Sequence, residues 1–300
     1  MQYVGYLFFR VLCALMYIIP FWLIYLKADF LYYLMFYVVR YRKKVVYNNL
    51  RNSFPQKTEV EINLIAKKFY RHLCDLTLES IKGFGMTKKQ LLQRYRFINP
   101  ELLDNYFHSK QNFILAGAHY NNWEWPSQAS GLQIPFNMVA LYKPLSNKYI
   151  DDYIKRTRKQ FGMALVPINE TRNALTRKYE KPTIFVFIAD QNPSNKKKAV
   201  WVQFLNRKTA CLHGLGYYAT NFKLPIVFAK ARKIKRGYYT LEFSNLIIEP
   251  HKSTVEEVVT RYMNEVEKQI LDIPQYWLWS HKRWKYKFED VDKNKNPEND

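Results

Sequence analysis

Five short runs of apolar residues, at 113–116, 138–142, 164–168, 183–188 and 225–229, constrain the fold of this chain more than any other feature. Each is apolar throughout instead of at alternate positions, which is the pattern of strands covered on both faces. Stretches with helical spacing at 149–161, 170–179 and 212–222 lie between them, as parallel strands require of their crossovers. The expected fold class is therefore α/β, a largely parallel central sheet flanked by helices, with an N-terminal membrane-anchoring helix ahead of it. Residues 238–243 read as a late strand that could run antiparallel, and 254–271 as a helix. Upstream, Thr58-Glu59-Val60-Glu61 has the form of a capping box, and Ile62, Ile65, Phe69, Leu73 and Leu76 recur at three- and four-residue spacing. That helix should run to about 81, where Gly83 and Gly85 stop it.

The N-terminus reads as a membrane element. Sixteen uncharged residues, 11–26, lie between Arg10 and Lys27. A bilayer core of ~30 Å takes about 20 helical residues, so the run spans only if extended back through 6–9 with Arg10 snorkelling. A second apolar stretch, 30–39, is too short to cross and ends in Arg40-Tyr41-Arg42-Lys43-Lys44, the basic edge of an interfacial helix on anionic lipid. Basic residues after the anchor place the following domain in the cytoplasm. A cleaved signal peptide would need a basic start and a small-x-small site, and neither is present; a buried core helix is the competing reading. The chain thus divides into a transmembrane or interfacial anchor at 1–44, an α/β domain at 45–288 and a polar tail at 289–300 expected to be disordered.

The balance of 47 Lys and Arg against 25 Asp and Glu, a formal charge of +22, calls for an anionic partner without choosing among nucleic acid, lipid headgroups, a phosphorylated substrate and an acidic protein. The 24 Tyr, 20 Phe and 7 Trp favour a water–lipid boundary, and no nucleic-acid module is recognisable, so membrane lipids are expected and nucleic acid is not. Cys13, Cys74 and Cys211 lie far apart, which supports neither a disulfide framework nor a structural zinc site.

His119 follows the run 113–116 through Gly117-Ala118, which puts it at the carboxyl edge of the sheet, where open α/β folds hold their ligands. If a helix starts at Asn121, Glu124 lies about one turn beyond His119 and the two side chains meet. A neutral imidazole takes a proton from an attacking hydroxyl, and a neighbouring carboxylate fixes its tautomer and stabilises the imidazolium. A His-x4-Glu pair also arises by chance, and a histidine beside a helix start is often a cap.

Ala116-Gly117-Ala118-His119-Tyr120-Asn121-Asn122-Trp123-Glu124 resembles the His-x4-Asp/Glu motif of the bacterial lipid A late acyltransferases, the lauroyl and myristoyl transferases within the lysophospholipid acyltransferase-like superfamily. Tyr142-Lys143-Pro144-Leu145-x-Asn147 and Arg158-x-x-Phe161-Gly162 are similar to that family's second block. Asp190-Gln191, Trp201-x-x-Phe204-Leu205 and Lys208-Thr209-Ala210 resemble the third, and Pro225-Ile226 the fourth. Val45-x3-Asn49-Leu50-x3-Phe54-Pro55 fits upstream, and Pro274-x-x-Trp277-x-Trp279-x-His281-x-Arg283-Trp284 looks like the C-terminal signature. The blocks come in order over roughly residues 1–285. Lys143 departs from the family's usual arginine, keeping the charge and losing the bidentate fork.

The resemblance implies O-acyl transfer from a thioester on acyl carrier protein to a hydroxyl of a lipid A precursor, at the cytoplasmic side of the bacterial inner membrane. His119 would be the base and Glu124 its orienter. Arg158 would hold a phosphate or stabilise developing negative charge, and Asp190 would position Arg158 or the acceptor. Asn122, Lys143 and Gln191 are further substrate-binding positions by the same carry-over. A thioester is already activated, so neither cofactor nor metal is expected. An aminolipid or glycophospholipid acceptor, or a non-catalytic membrane-associated protein, are the alternatives; the last would be expected to lack His119, Glu124, Arg158 and Asp190 together. Arg156 rivals Arg158 within the charge run 155–159, and Asp190 could instead cap a helix. His281 is read as packing, and Lys196-Lys197-Lys198 as a solvated loop that could greet an acidic carrier.

Overall fold

The protein is described from a computed structural model over residues 2–286 and 288, so the tail expected at 289–300 lies outside the described residues. Seven strands form the central sheet: β1 (Tyr95–Phe97), β2 (Phe113–Gly117), β3 (Asn137–Tyr142), β4 (Met163–Pro167), β5 (Thr183–Ile188), and, after a separate hairpin of β6 (Val200–Phe204) with β7 (Arg207–Cys211), β8 (Ile226–Lys235) and β9 (Tyr238–Ile247). Their order is β1-β9-β8-β2-β5-β3-β4. All neighbours run parallel except β8 with β9, whose turn uses Gly237 at φ 74°. The β6–β7 hairpin turns through Leu205 and Asn206, both left-handed at φ 48° and 62°, a two-residue turn without the Asn-Gly pair that would have announced it.

The continuous apolar character of the central strands follows from cover on both faces. In β2, Ile114 and Ala116 join the core under one helical layer, while Phe113 and Leu115 join the core on the other face. The helices, in chain order, are α1 (Gln2–Ile18), α2 (Phe21–Tyr33), α3 (Lys43–Ser53), α4 (Glu59–Gly83), α5 (Lys88–Arg94), α6 (Asp104–His108), α7 (Pro126–Ala129), α8 (Lys148–Gln160), α9 (Thr171–Thr176), α10 (Gly214–Asn221) and α11 (Val255–Asp272). The long helices α4 and α11 bring Phe69, Val258, Tyr262 and Val266 to the face of Ile114 and Phe228. At the start of α4, the Thr58 backbone N–H donates to Glu61 Oε2 at 2.8 Å and the Glu61 N–H to Thr58 Oγ1, the reciprocal bonds of a capping box. The helical segment expected at 170–179 shrinks to the single turn and a half of α9.

At the N-terminus the structure differs from the single crossing expected over 6–26. Proline has no N–H to continue the ladder, and its ring conflicts with the preceding turn. Accordingly α1 ends at Ile18, and Pro20 caps α2 in extended backbone, φ −69° and ψ 154°. Helix α2 then passes into a π-helical turn, Leu34–Val38, absorbing the stretch expected to form a separate interfacial helix. The resulting apolar helix, Phe21–Val38, is 18 residues long and meets the length and composition of a membrane span.

Candidate active site

Strands β2 and β5 lie side by side in register, Gly117 opposite Ile188, so the residues that follow them converge. Tyr262 on α11 fixes both ends, donating its hydroxyl to Gly117 O at 2.6 Å and accepting the Ala189 N–H at 3.1 Å. His119 and Asp190 meet as a result. His119 Nδ1 lies 2.6 Å from Asp190 Oδ1, and the backbone N–H of His119 donates to Asp190 Oδ2 at 3.0 Å. The Trp277 indole N–H donates to the same Oδ2 at 2.8 Å. A fully buried carboxylate receiving these donors is an acceptor only, so Nδ1 carries the proton and Nε2 the lone pair. The Gln191 amide sits on that lone pair, its nitrogen 3.1 Å from Nε2. Burial alone would lower the pKa of His119; the charge of Asp190, then its hydrogen bond, then the charge of Glu124 outweigh burial and raise it. Burial would likewise raise the Asp190 carboxyl, but His119 and the hydrogen bonds around it hold it below the usual carboxylate range.

The expected helical turn from Asn121 is absent. Asn121 takes a left-handed conformation, φ 55°, with its N–H on Tyr276 O and its side-chain amide on Ala231 O. The chain therefore swings away from His119 before α7 begins at Pro126, and the carboxylate bonded to the imidazole is that of Asp190. Glu124 faces Arg158 instead, with Oε2 2.5 Å from Nη2. Asp190, expected to position Arg158 or the acceptor, touches His119 and Trp277. On α8, Arg158 turns inward while its rival Arg156 is exposed, its Nε bonded back to Asp152 O.

Asn122 is wholly buried and serves as a joint. Its Oδ1 accepts the N–H groups of Glu124 and Trp125, and its amide donates to Glu79 Oε2 at 2.8 Å. Glu79, buried in α4, also accepts the hydroxyls of Tyr239 and Tyr25.

His119, Glu124, Lys143, Arg158 and Gln191 all line one cavity of about 880 Å³, whereas Asn122 does not reach it and Asp190 stands behind His119. Away from these polar groups the wall is apolar and built from alternate residues on one sheet face, among them Leu115, Met138, Met163, Val186 and Leu241. A Cβ on Gly117 would meet nothing within 4 Å, so glycine there keeps the space beside His119 open. Tyr142, Lys143 and Pro144 edge the opening; the segment is held by Asp151, which accepts the Tyr142 hydroxyl at 2.8 Å and the Leu145 N–H at 2.9 Å. The volume suits a large ligand, and the apolar wall with polar groups at one end suits an amphiphile. Among the described residues, no three His, Cys, Asp or Glu side chains cluster closely enough to hold a metal ion.

The sequence profile of the bacterial lipid A biosynthesis acyltransferases matches residues 1–286. The chain belongs to that family. Among similar proteins, the lipid A biosynthesis palmitoleoyltransferase of Escherichia coli is 24% identical over 251 residues, 81% of this chain and 79% of the relative. The lipid A biosynthesis lauroyltransferase of the same organism is 23% identical over 256 residues, 83% and 81% of the two chains. A lipid A biosynthesis acyltransferase of Haemophilus influenzae is 22% identical over 248 residues, 81% and 78%. As a lipid A biosynthesis acyltransferase, the protein is a membrane-associated enzyme of acyl transfer.

Three residues that position this acyltransferase's polar groups carry no mark of that role in the sequence. Trp277 lies inside the C-terminal signature, but only the fold shows its indole on Asp190. Glu79 and Tyr262 sit in amphipathic helices among other polar residues, and no local pattern marks them.

Proposed function

We propose that this protein O-acylates a lipid A precursor, taking the acyl group from a thioester on acyl carrier protein, with His119 as general base. The observation that carries this reading is the Nε2 lone pair of His119, set by Asp190 and facing a largely apolar cavity with Arg158 and Lys143 at its polar end. The acceptor hydroxyl replaces the Gln191 amide at Nε2 and gives up its proton there as its oxygen bonds to the thioester carbonyl. The tetrahedral intermediate then collapses with cleavage of the C–S bond, and the imidazolium returns the proton to the departing thiolate, giving an ester and a free thiol. Arg158, braced by Glu124, offers its guanidinium to an acceptor phosphate or to the developing oxyanion. Glu124 also adds negative charge near the imidazolium. The residues named need no cofactor for a donor that is already activated. The domain would then stand on the cytoplasmic side of the bacterial inner membrane, where such a carrier is met.

Membranes carrying the protein should move a labelled acyl group from acyl carrier protein to the precursor and produce free carrier thiol in equal amount. Transfer from acyl-coenzyme A alone would remove the carrier from the account, and transfer only to an aminolipid or glycophospholipid would change the acceptor. Arg158→Ala should lower kcat/KM about 10- to 100-fold, and adding Glu124→Ala should cost less than the product of the single effects, because the two side chains act as a pair. Fully multiplicative losses would separate their roles.

The base works only when neutral. Below its pKa the ring is protonated and inactive; above it the ring is competent. Since Asp190 raises that pKa, the acid limb of the kcat/KM profile should fall above the ordinary histidine value of about 6.5. A limb at or below that value would contradict the assignment.

A further inference from the structure

We propose that α1 and α2 lie within one leaflet of an anionic membrane, on the same side as the α/β body, so that the cavity opens at headgroup depth and the chain does not cross. Phe8, Val11, Leu15, Ile18, Trp22 and Leu26 recur every three or four residues across the break at Pro20, and each is more than half exposed. They form one outward apolar face along both helices.

The inward side is fastened to the domain along its length. In α1, Tyr6 and Phe9 pack on Tyr149 and Tyr153 of α8, and Cys13 and Met16 are buried. The end of α1 is capped from α4, where Lys82 Nζ donates to the carbonyls of Met16, Tyr17 and Ile19 at 2.6, 2.9 and 2.9 Å. In α2, Ile24, Ala28 and Tyr32 are buried, and Phe36 is buried in the π-helical turn that continues it. Arg236, at the tip of the β8–β9 hairpin, pairs with Asp29 of α2 at 2.7 Å and with Asp75 of α4 at 2.6 Å, and Arg71 of α4 lies over the ring of Tyr32. If Phe21–Val38 crossed a bilayer, Lys27 and Asp29 would stand at its midpoint, and Arg71, Asp75 and Arg236 would be carried to the same depth. Charges there are costly. With the helices lying flat, the apolar face enters lipid and the charged inner side stays with the protein.

The occupant is an anionic lipid surface because basic residues accompany the face: Arg10, Lys27, Arg40 and Lys44 are exposed along the two helices and just after them. The start of α1 lies beside the cavity opening. Gln2 bonds to the segment that follows Pro144, donating to Ser146 O and accepting the Asn147 amide at 2.8 Å, and Leu145 and Tyr149 beside it are nearly half exposed. A lipid in that leaflet therefore reaches the opening without leaving the membrane plane.

The full chain carrying Gln2→Cys or Gln56→Cys, made in cells and recovered in sealed membrane vesicles of one orientation, is treated with a membrane-impermeant maleimide. Unsubstituted protein, whose three cysteines are buried, gives the blank. The two positions should label to the same extent, within a factor of two, before and after permeabilisation. Labelling of one with protection of the other until the vesicles are opened shows a crossing and overturns the proposal. Phe8→Asp with Val11→Asp should reduce binding of the purified protein to phosphatidylglycerol vesicles at least tenfold without lowering its Tm, because neither side chain supports the fold. Unchanged vesicle binding would overturn the proposal equally.

Discussion

Replacing His119 with alanine should lower acyl transfer by roughly 10²–10⁴-fold while leaving the yield and melting temperature of the protein near those of the parent. The ring is partly exposed at the cavity, and its substitution removes the lone pair that Asp190 sets to take the acceptor proton. Asp190→Asn should cost a comparable factor for a different reason. The amide presents a donor where the imidazole needs an acceptor, so the ring adopts the other tautomer and Nε2 loses its lone pair. Single-turnover rates with labelled acyl carrier protein and excess acceptor would read both effects at the chemical step. A His119→Ala protein that transfers at the parental rate would place the base elsewhere.

Glu79→Leu should destabilise the protein by about 3–5 kcal/mol, because it strands the Tyr25 and Tyr239 hydroxyls and the Asn122 amide, each worth ~1–3 kcal/mol when left unsatisfied in the interior. That is a large part of the ~5–15 kcal/mol that holds a typical domain folded. Burial holds the Glu79 carboxyl above the usual carboxylate range, against the hydrogen bond from Tyr239, the charge of Lys233 and the hydrogen bond from Asn122. The effect extends to the site, since Asn122 sets the backbone of Glu124 and Trp125. Glu79→Gln keeps the shape and, with its amide nitrogen toward Tyr25, opposes one donor while its oxygen still serves Tyr239 and Asn122, so it should lose less stability than leucine and still lower transfer. Denaturant midpoints in detergent would measure this; a loss under about 1 kcal/mol for Glu79→Leu would show that the three donors find other partners.

The sheet was legible because its central strands are short, apolar on both faces and separated by helices, so the run at 183–188 coincides with β5 and that at 113–116 extends by one residue to Gly117. The capping box at Thr58 and the antiparallel strand near 238 were legible for equally local reasons: a hydroxyl three residues ahead of a carboxylate, and a strand pattern soon after another strand. The β6–β7 hairpin was not, since its turn residues carry no glycine and β7 begins with Arg207, Lys208 and Thr209. At the N-terminus the uncharged run was plain, but Pro20 outweighs hydropathy in deciding where a helix ends.

In the site, the position of His119 after β2 could be read from the chain, but its partner could not. A regular helix from Asn121 would have served Glu124 well; the left-handed Asn121, fixed by contacts to Tyr276 and Ala231 far along the chain, sends Glu124 to Arg158. The approach of Asp190 to His119 depends on the pairing of β2 with β5, seventy residues distant, and on the indole of Trp277. These are long-range facts that spacing does not carry.

The pH dependence of kcat/KM for the parent and for Asp190→Asn, measured side by side with acyl carrier protein as donor, tests the central claim most directly. With the carboxylate in place, the acid limb should lie above about 6.5; with asparagine, the plateau should fall at least a hundredfold and the limb should move to lower pH, as burial is left unopposed by the nearest negative charge. An unchanged limb and plateau in Asp190→Asn would contradict the account, because His119 would then work without the residue that sets its tautomer and its charge.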